Sequence, residues 1–280
     1  MFVLGLNMVH SVVTVTLMTT RAVTPTTSDF ASASGADSLA AVEIATEAGK
    51  LLLDLREGLA TPGVDAAEIR AAGDRRSHEL ITGLLRERFS QDAVLSEEGA
   101  DDLARLGAER VWIVDPLDGT REFGEADRAD WAVHVALVER GALTVGAVAM
   151  PAAGVTYSTM DGPVDLPPLR VVPRVVVSRT RRPAPVMELA AALDAELVEM
   201  GSAGAKAMAV VRGDVDVYAH AGGQYEWDSA APVAVARAAG LHVSRIDGSE
   251  LVYNQENPWL PDLLICRPEW ADKALEVLAR

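Results

Sequence analysis

Cysteine is nearly missing from this chain. Cys266 is the only one in 280 residues, which excludes an intrachain disulfide and a cysteine-built zinc site and points to a reducing compartment, the cytoplasm. Basic residues are few: 25 against 41 acidic ones, for a net charge of −16. So acidic a surface disfavours nucleic acid and anionic membranes as partners. Long unbroken apolar runs are missing too. Met1 to Met18 is mildly apolar but is interrupted by Asn7, His10, Ser11, Thr14 and Thr16 and holds no Lys or Arg. It therefore has neither the basic n-region of a secretory signal nor the length of a membrane span. The Thr/Ser/Ala-rich stretch that follows has the composition of disordered chain. Met8 and Met18 are alternative starts, so residues 1–37 are set apart as a disordered or mis-started segment. No internal repeat is visible.

What is present is a large apolar complement, 49% of the chain, enough for the core of one big domain or two lobes. Helical spacing of Leu39, Val42, Ala45, Ala48, Leu52 and Leu55 predicts a helix over 38–59, with Ser38 placed to cap it. A second helix is predicted from near Asp74 to Phe89. Short apolar strands follow at 93–95 and 111–115, then an antiparallel pair at 131–138 and 143–149. The Pro- and Gly-containing stretch 161–168 marks a boundary between a first lobe (38–168) and a second (169–280), in which strands and helices alternate.

The segment Trp112 to Thr120 carries the most chemistry. An apolar run ends on Asp115, Pro116 stops any helix, and Asp118 and Gly119 follow, so two carboxylates three residues apart face one point. Converging carboxylates repel unless a cation neutralises them, and oxygen donors select a hard ion such as Mg²⁺. The N–H groups of Gly119 and Thr120 come next, where a phosphate oxygen could be met. Alone, Asp-Pro-Leu-Asp-Gly is equally a solvated turn. Two further acids stand at element ends: Glu97 after the 93–95 strand, and Asp228, which opens a helix after Gly222-Gly223. Asp228 would also serve as an ordinary helix cap.

Asp115-Pro116-Leu117-Asp118-Gly119-Thr120, Trp227-Asp228-Ser229-Ala230-Ala231 and Ser96-Glu97-Glu98 resemble, in order and spacing, the motifs of the inositol monophosphatase superfamily. Within it the likeness is greatest to the CysQ-type phosphatases of 3′-phosphoadenosine 5′-phosphate (PAP), through Gly119-Thr120-Arg121-Glu122-Phe123, Gly201-Ser202 with Lys206, and the approach His220 to Asp228. The resemblance implies a layered αβαβα sandwich of the inositol monophosphatase/fructose bisphosphatase type. It implies two to three Mg²⁺ ions held by Glu97, Asp115, the Leu117 carbonyl, Asp118 and Asp228. Asp74, Thr120 and Glu97 would act on the water nucleophile, and Gly119, Thr120, Arg121, Ser202, Lys206 and Asp228 would contact substrate. Asp74 rests on position alone, because the family's preceding Thr is Ala71 here, and a helix-cap role competes. Arg179 and Arg181 are further candidates for a second phosphate, and His220 stands where many relatives carry Arg.

The implied reaction is hydrolysis of the 3′-phosphate of PAP, or of its sulfated form PAPS, in sulfur metabolism, with Li⁺ inhibition. The same chemistry on inositol monophosphate or fructose bisphosphate stays open. A non-catalytic relative is disfavoured, because all four acidic side chains are present. The partner is a small phosphate ester, with no nucleic acid and no membrane, and a homodimer is left open.

Overall fold

A computed structural model describes residues 35–60 and 65–279. The expected disordered segment lies outside the described residues up to position 34. Residues 35–37, assigned to it from the sequence, instead form the first turn of helix α1 (Gly35–Arg56). Ser38 is buried in that turn and caps nothing, and Asp37 pairs with Arg110 at 2.9 Å. α1 buries Ala41, Ile44, Ala45, Ala48 and Leu52, one stripe at helical spacing. Helix α2 (Ala66–Arg88) starts well before Asp74. Its cap is Asp65, whose carboxylate accepts from the Ala67 N–H at 2.8 Å. Asp74 therefore sits inside a helix, and the cap reading of that residue is removed.

The first sheet runs in the order β1 (Ala93–Ser96), β2 (Arg110–Asp118), β3 (Ala132–Glu139), β4 (Ala142–Met150), β5 (Val155–Ser158). β1 lies parallel to β2, and the rest are antiparallel. One expectation changes here. The sequence reads Asp115 to Gly119 as a turn beyond the strand, but β2 continues to Asp118, with its pairing to β3 broken between Asp115 and Asp118. Pro116 has no N–H for the ladder, so the chain bulges there and re-aims its acids. The short helix α3 (Thr120–Phe123) follows.

The second sheet comprises β6 (Arg174–Ser178), β7 (Glu196–Met200), β8 (Val217–Tyr225), β9 (His242–Ser244) and β10 (Trp259–Cys266), in the order β7-β6-β8-β10-β9. β6 is parallel to β7 and β8, whereas β10 is antiparallel to β8 and β9. The remaining helices are α4 (Ala184–Ala192), α5 (Ala203–Val211), α6 (Glu226–Ala238) and α7 (Pro268–Leu278).

Three apolar clusters define the layers. α1 and α2 pack on one face of the first sheet. α5 and α6 fill the space between its other face and the second sheet. α4 and α7 cover the far face of the second sheet. The arrangement is an αβαβα sandwich, each sheet burying both faces. It brings the end of β2, the start of α5 and the start of α6 to one place.

Candidate active site

Asp115, on the bulge of β2, is 1% exposed and accepts the Leu117 N–H at 3.0 Å. Asp118 ends β2 and faces the N-terminus of α5. It accepts from Ser202 Oγ at 2.5 Å, the Gly204 N–H at 2.7 Å and the Ala203 N–H at 3.1 Å. A helix start offers unpaired N–H groups and a positive dipole end, so it stabilises a carboxylate there. Asp228 is the third residue of α6 and accepts the Tyr225 N–H at 2.6 Å, so the cap role and the site role coexist. One oxygen from each of Asp115, Asp118 and Asp228 lies within 4.8 Å of the others. Glu97 stands just outside this trio. Its N–H meets the Val114 carbonyl at 3.4 Å, and its carboxyl hydrogen-bonds to Asp115.

The electrostatics of this group follow from crowding. Burial, then the neighbouring acids Glu97, Asp118 and Asp228, push Asp115 well above the usual carboxylate range. Burial and Asp118 raise Asp228 to about 6, and burial and Asp228 raise Glu97 to about 7. Asp118 departs from the others. Burial pushes it up, but His134, Ser202 and the Gly204 N–H outweigh that and hold it at about 2. Its charge is fixed while its neighbours share protons. An all-oxygen donor set that cannot ionise fully by itself fits a hard divalent cation, which would supply the missing positive charge.

His134 was not legible as a site residue. It is a lone ionisable side chain within the apolar run Val133-His134-Val135, and that isolation was its only signal. Its ring is fully buried, with Nε2 3.3 Å from Asp118 Oδ2 and Nδ1 3.1 Å from the Trp227 carbonyl. The Nε2 contact is close but off the line of a hydrogen bond. It therefore ties the end of β2 to the turn that carries Asp228. A Cβ at position 204 would collide with Nε2, so only glycine lets α5 approach this ring.

The structure brings Asp74 and Thr120 together. Thr120 Oγ1 lies 3.3 Å from Asp74 Oδ1 and 3.1 Å from the Leu117 carbonyl. Burial, then Glu98, raises Asp74 to about 6. Ser77 Oγ, on the same helix, donates to the Pro116 carbonyl at 2.7 Å and fixes α2 against the bulge.

A cavity of about 700 Å³ opens beside the acids, lined by Glu97, Asp118, Gly119, Thr120 and Asp228 and also by Lys206, Arg121 and Arg181. Lys206 is 7% exposed, and Nζ sits 5.3 Å from the centre of the Tyr218 ring, with no hydrogen bond or ion pair among the described residues. Burial lowers its pKa. One candidate, Arg179, lies off the cavity, whereas Ser202 lines it. Arg179 is paired with Glu122 at 2.7 Å and Glu125 at 2.8 Å and does not line the cavity. The Ser202 hydroxyl is engaged on both sides, donating to Asp118 and accepting from the Ala205 N–H at 2.9 Å. His220 is at the cavity but bonded to the Gly223 carbonyl at 2.9 Å, and burial lowers its pKa.

Residues 36–278 match the Inositol monophosphatase family. This chain belongs to that family. It is 48% identical over 260 residues to the 3′-phosphoadenosine 5′-phosphate phosphatase of Mycobacterium leprae, covering 86% of this chain and 93% of that protein. It is 32% identical over 235 residues to the 3′(2′),5′-bisphosphate nucleotidase CysQ of Escherichia coli, covering 78% and 94%. The crystal structure of CysQ from Bacteroides thetaiotaomicron superposes with a TM-score of 0.69 at 29% identity, covering 83% of this chain and 97% of that one. No helix among the described residues is long and apolar enough to cross a membrane.

Proposed function

We propose that this protein is a Mg²⁺-dependent phosphatase that removes the 3′-phosphate of PAP to leave AMP in sulfur metabolism. The observation that carries the reading is one cavity lined both by converging carboxylates and by a buried lysine whose Nζ has no hydrogen bond or ion pair among the described residues. That layout suits an ester with two phosphates better than one with a single phosphate. Similarity to PAP phosphatases supports the same substrate. The lone thiol Cys266 is buried, consistent with a cytoplasmic location.

Glu97, Asp115, the Leu117 carbonyl, Asp118 and Asp228 would hold two to three Mg²⁺ ions, which supply Lewis acidity at the nucleophile and positive charge at the leaving oxygen. Thr120 and Asp74 position the attacking water, and Asp74, raised to about 6 and ionised at neutral pH, accepts its proton. The N–H groups of Gly119 and Thr120 donate to phosphate oxygens as charge builds on them. Lys206, Arg121 and Arg181 grip the 5′-phosphate. The 3′ ester bond breaks, the ribose oxygen takes a proton, and inorganic phosphate and AMP leave. Phosphate release from PAP, PAPS, inositol monophosphate and fructose 1,6-bisphosphate, with Mg²⁺ and with chelator, tests this. PAP should be the fastest and chelation should stop it. Faster turnover of inositol monophosphate would overturn the substrate assignment.

A further inference from the structure

The far end of the cavity holds a group that the chemistry above does not use. Gln224 lines the wall and is 6% exposed, yet neither its amide oxygen nor its amide nitrogen has a hydrogen-bond partner. A buried amide left without partners is costly, so this one calls for an explanation. Its neighbours are aromatic. Tyr225 and Trp259 both line the same cavity, and they are 46% and 48% exposed. They face each other across the β8–β10 ladder, next to the Gln224–Leu260 pair. Trp259 lies over Gly223 so closely that a Cβ there would sit 2.6 Å from its indole nitrogen. Exposed rings beside a polar cavity offer a stacking surface for a flat heterocycle.

We propose that Gln224, with Tyr225 and Trp259 as its apolar walls, forms the subsite for the nucleobase of the substrate, an assignment that rests on the reading of the chain as a nucleotide phosphatase. A primary amide presents one acceptor and one donor side by side, which matches the amino donor and ring-nitrogen acceptor on an adenine edge. Among the described residues no group holds this amide, which is closed to solvent where it lies, so it must swing into the cavity to pair and can turn over to meet the reversed order on hypoxanthine equally well. The subsite selects a base with adjacent donor and acceptor groups, without choosing between these two. It rejects a purine lacking the 6-substituent.

Four 3′,5′-bisphosphates test this: those of adenosine, inosine, purine riboside and abasic ribose. Wild-type protein should show a kcat/KM for the adenosine and inosine compounds roughly 5- to 100-fold above that for purine riboside, the span of one amide–base pairing. In Gln224→Leu that ratio should fall to about one. A ratio that survives in Gln224→Leu overturns the subsite while leaving PAP as the substrate. Wild-type protein that prefers inositol monophosphate to PAP overturns the parent reading instead. Should Gln224→Leu not fold, Trp259→Leu on the exposed rim carries the test. Its ratio of adenosine to abasic substrate should drop, and an unchanged ratio counts against the proposal.

Discussion

The acids and the cations of the cavity are held on opposite terms. Among the acids at and just beneath the cavity surface, each aspartate of the converging trio has at least one oxygen already bonded to the protein: Asp115 to Leu117, Asp228 to Tyr225, Asp118 to Ser202 and the start of α5. The side chains of Lys206, Arg121 and Arg181, which also line the cavity, have no hydrogen bond or ion pair among the described residues. The difference separates two tasks. Atoms that position a reaction must be fixed before substrate arrives. Atoms that recognise a substrate are completed by it, and their partners come from outside the chain.

The largest break in this comparison is Asp118→Asn. With the amide nitrogen in place of Oδ2, it would face the Gly204 N–H, the Ser202 hydroxyl and the ring of His134, so the charge and one of the two acceptors are lost. Turnover of PAP should fall on the order of 1,000-fold, the scale of losing one preorganised charged group, and the melting temperature should drop even with chelator present. Activity near wild type at saturating Mg²⁺ would remove Asp118 from the machinery. The same acids make a pH prediction for metal-free protein. Glu97 and Asp228, raised to about 7 and about 6, keep protons in the folded state that the unfolded chain has released. Stability in chelator should therefore be greatest near pH 4, where the unfolded acids begin to ionise, and decline as pH rises from there to about 7. Asp118, held at about 2, contributes fully above its unfolded pKa of about 4 and does not offset that slope. Thermal melts across pH read it directly, and added Mg²⁺ should flatten the slope by binding the ionised form. A flat profile in chelator would mean that the acids do not share protons as described.

A smaller break is Thr120→Val, which keeps the shape of α3 but removes the hydroxyl beside Asp74. A loss of roughly 100-fold in kcat, with little change in KM, is expected for a group that helps to place the nucleophile. Because Asp74 must be ionised to accept a proton, wild-type activity should rise with pH through about 6. A change in KM alone would assign Thr120 to binding.

The acids were largely legible in the sequence; of the cations named there, Lys206, Arg121 and Arg181 line the cavity and Arg179 does not. Asp115, Asp118, Glu97 and Asp228 stand where apolar runs end, and chain punctuation by Pro116, Gly119 and Gly222 marks those ends. The bulge in β2 was misread as a turn, since Pro and Gly signal either one, and only pairing to β3 decides. The start of α2 was missed because Asp65 was not weighed as its cap. For the cations, side-chain type says little: an arginine bound to glutamates and an arginine open to substrate look alike until their neighbours are known. His134 and Gln224 acquire meaning only from strands distant in sequence.

Lys206→Ala sharpens the basic side. Lys206 Nζ is buried beside the Tyr218 ring and faces the cavity without a partner. Its removal should raise KM for PAP about 10-fold, within the range of one hydrogen bond to a charged group. The change for inositol monophosphate should be smaller, because that substrate has no second phosphate. Equal changes on both substrates would make Lys206 a packing residue.

The smallest effect is expected at Arg179, and it draws the boundary of the basic side. Its guanidinium is already engaged by Glu122 and Glu125, and Glu122 is itself buried against Gly201. Arg179 braces α3 to the end of β6 from behind the cavity. Arg179→Ala should leave KM for PAP within about twofold of wild type, since no phosphate-facing donor is lost. It should lower the melting temperature by a few degrees, because buried Glu122 then loses its countercharge, and Glu122→Gln in the same chain should recover part of that loss. A tenfold rise in KM with an unchanged melting temperature would instead mean that Arg179 swings from the glutamates to the substrate, and the division between braced and open groups would fail on the basic side.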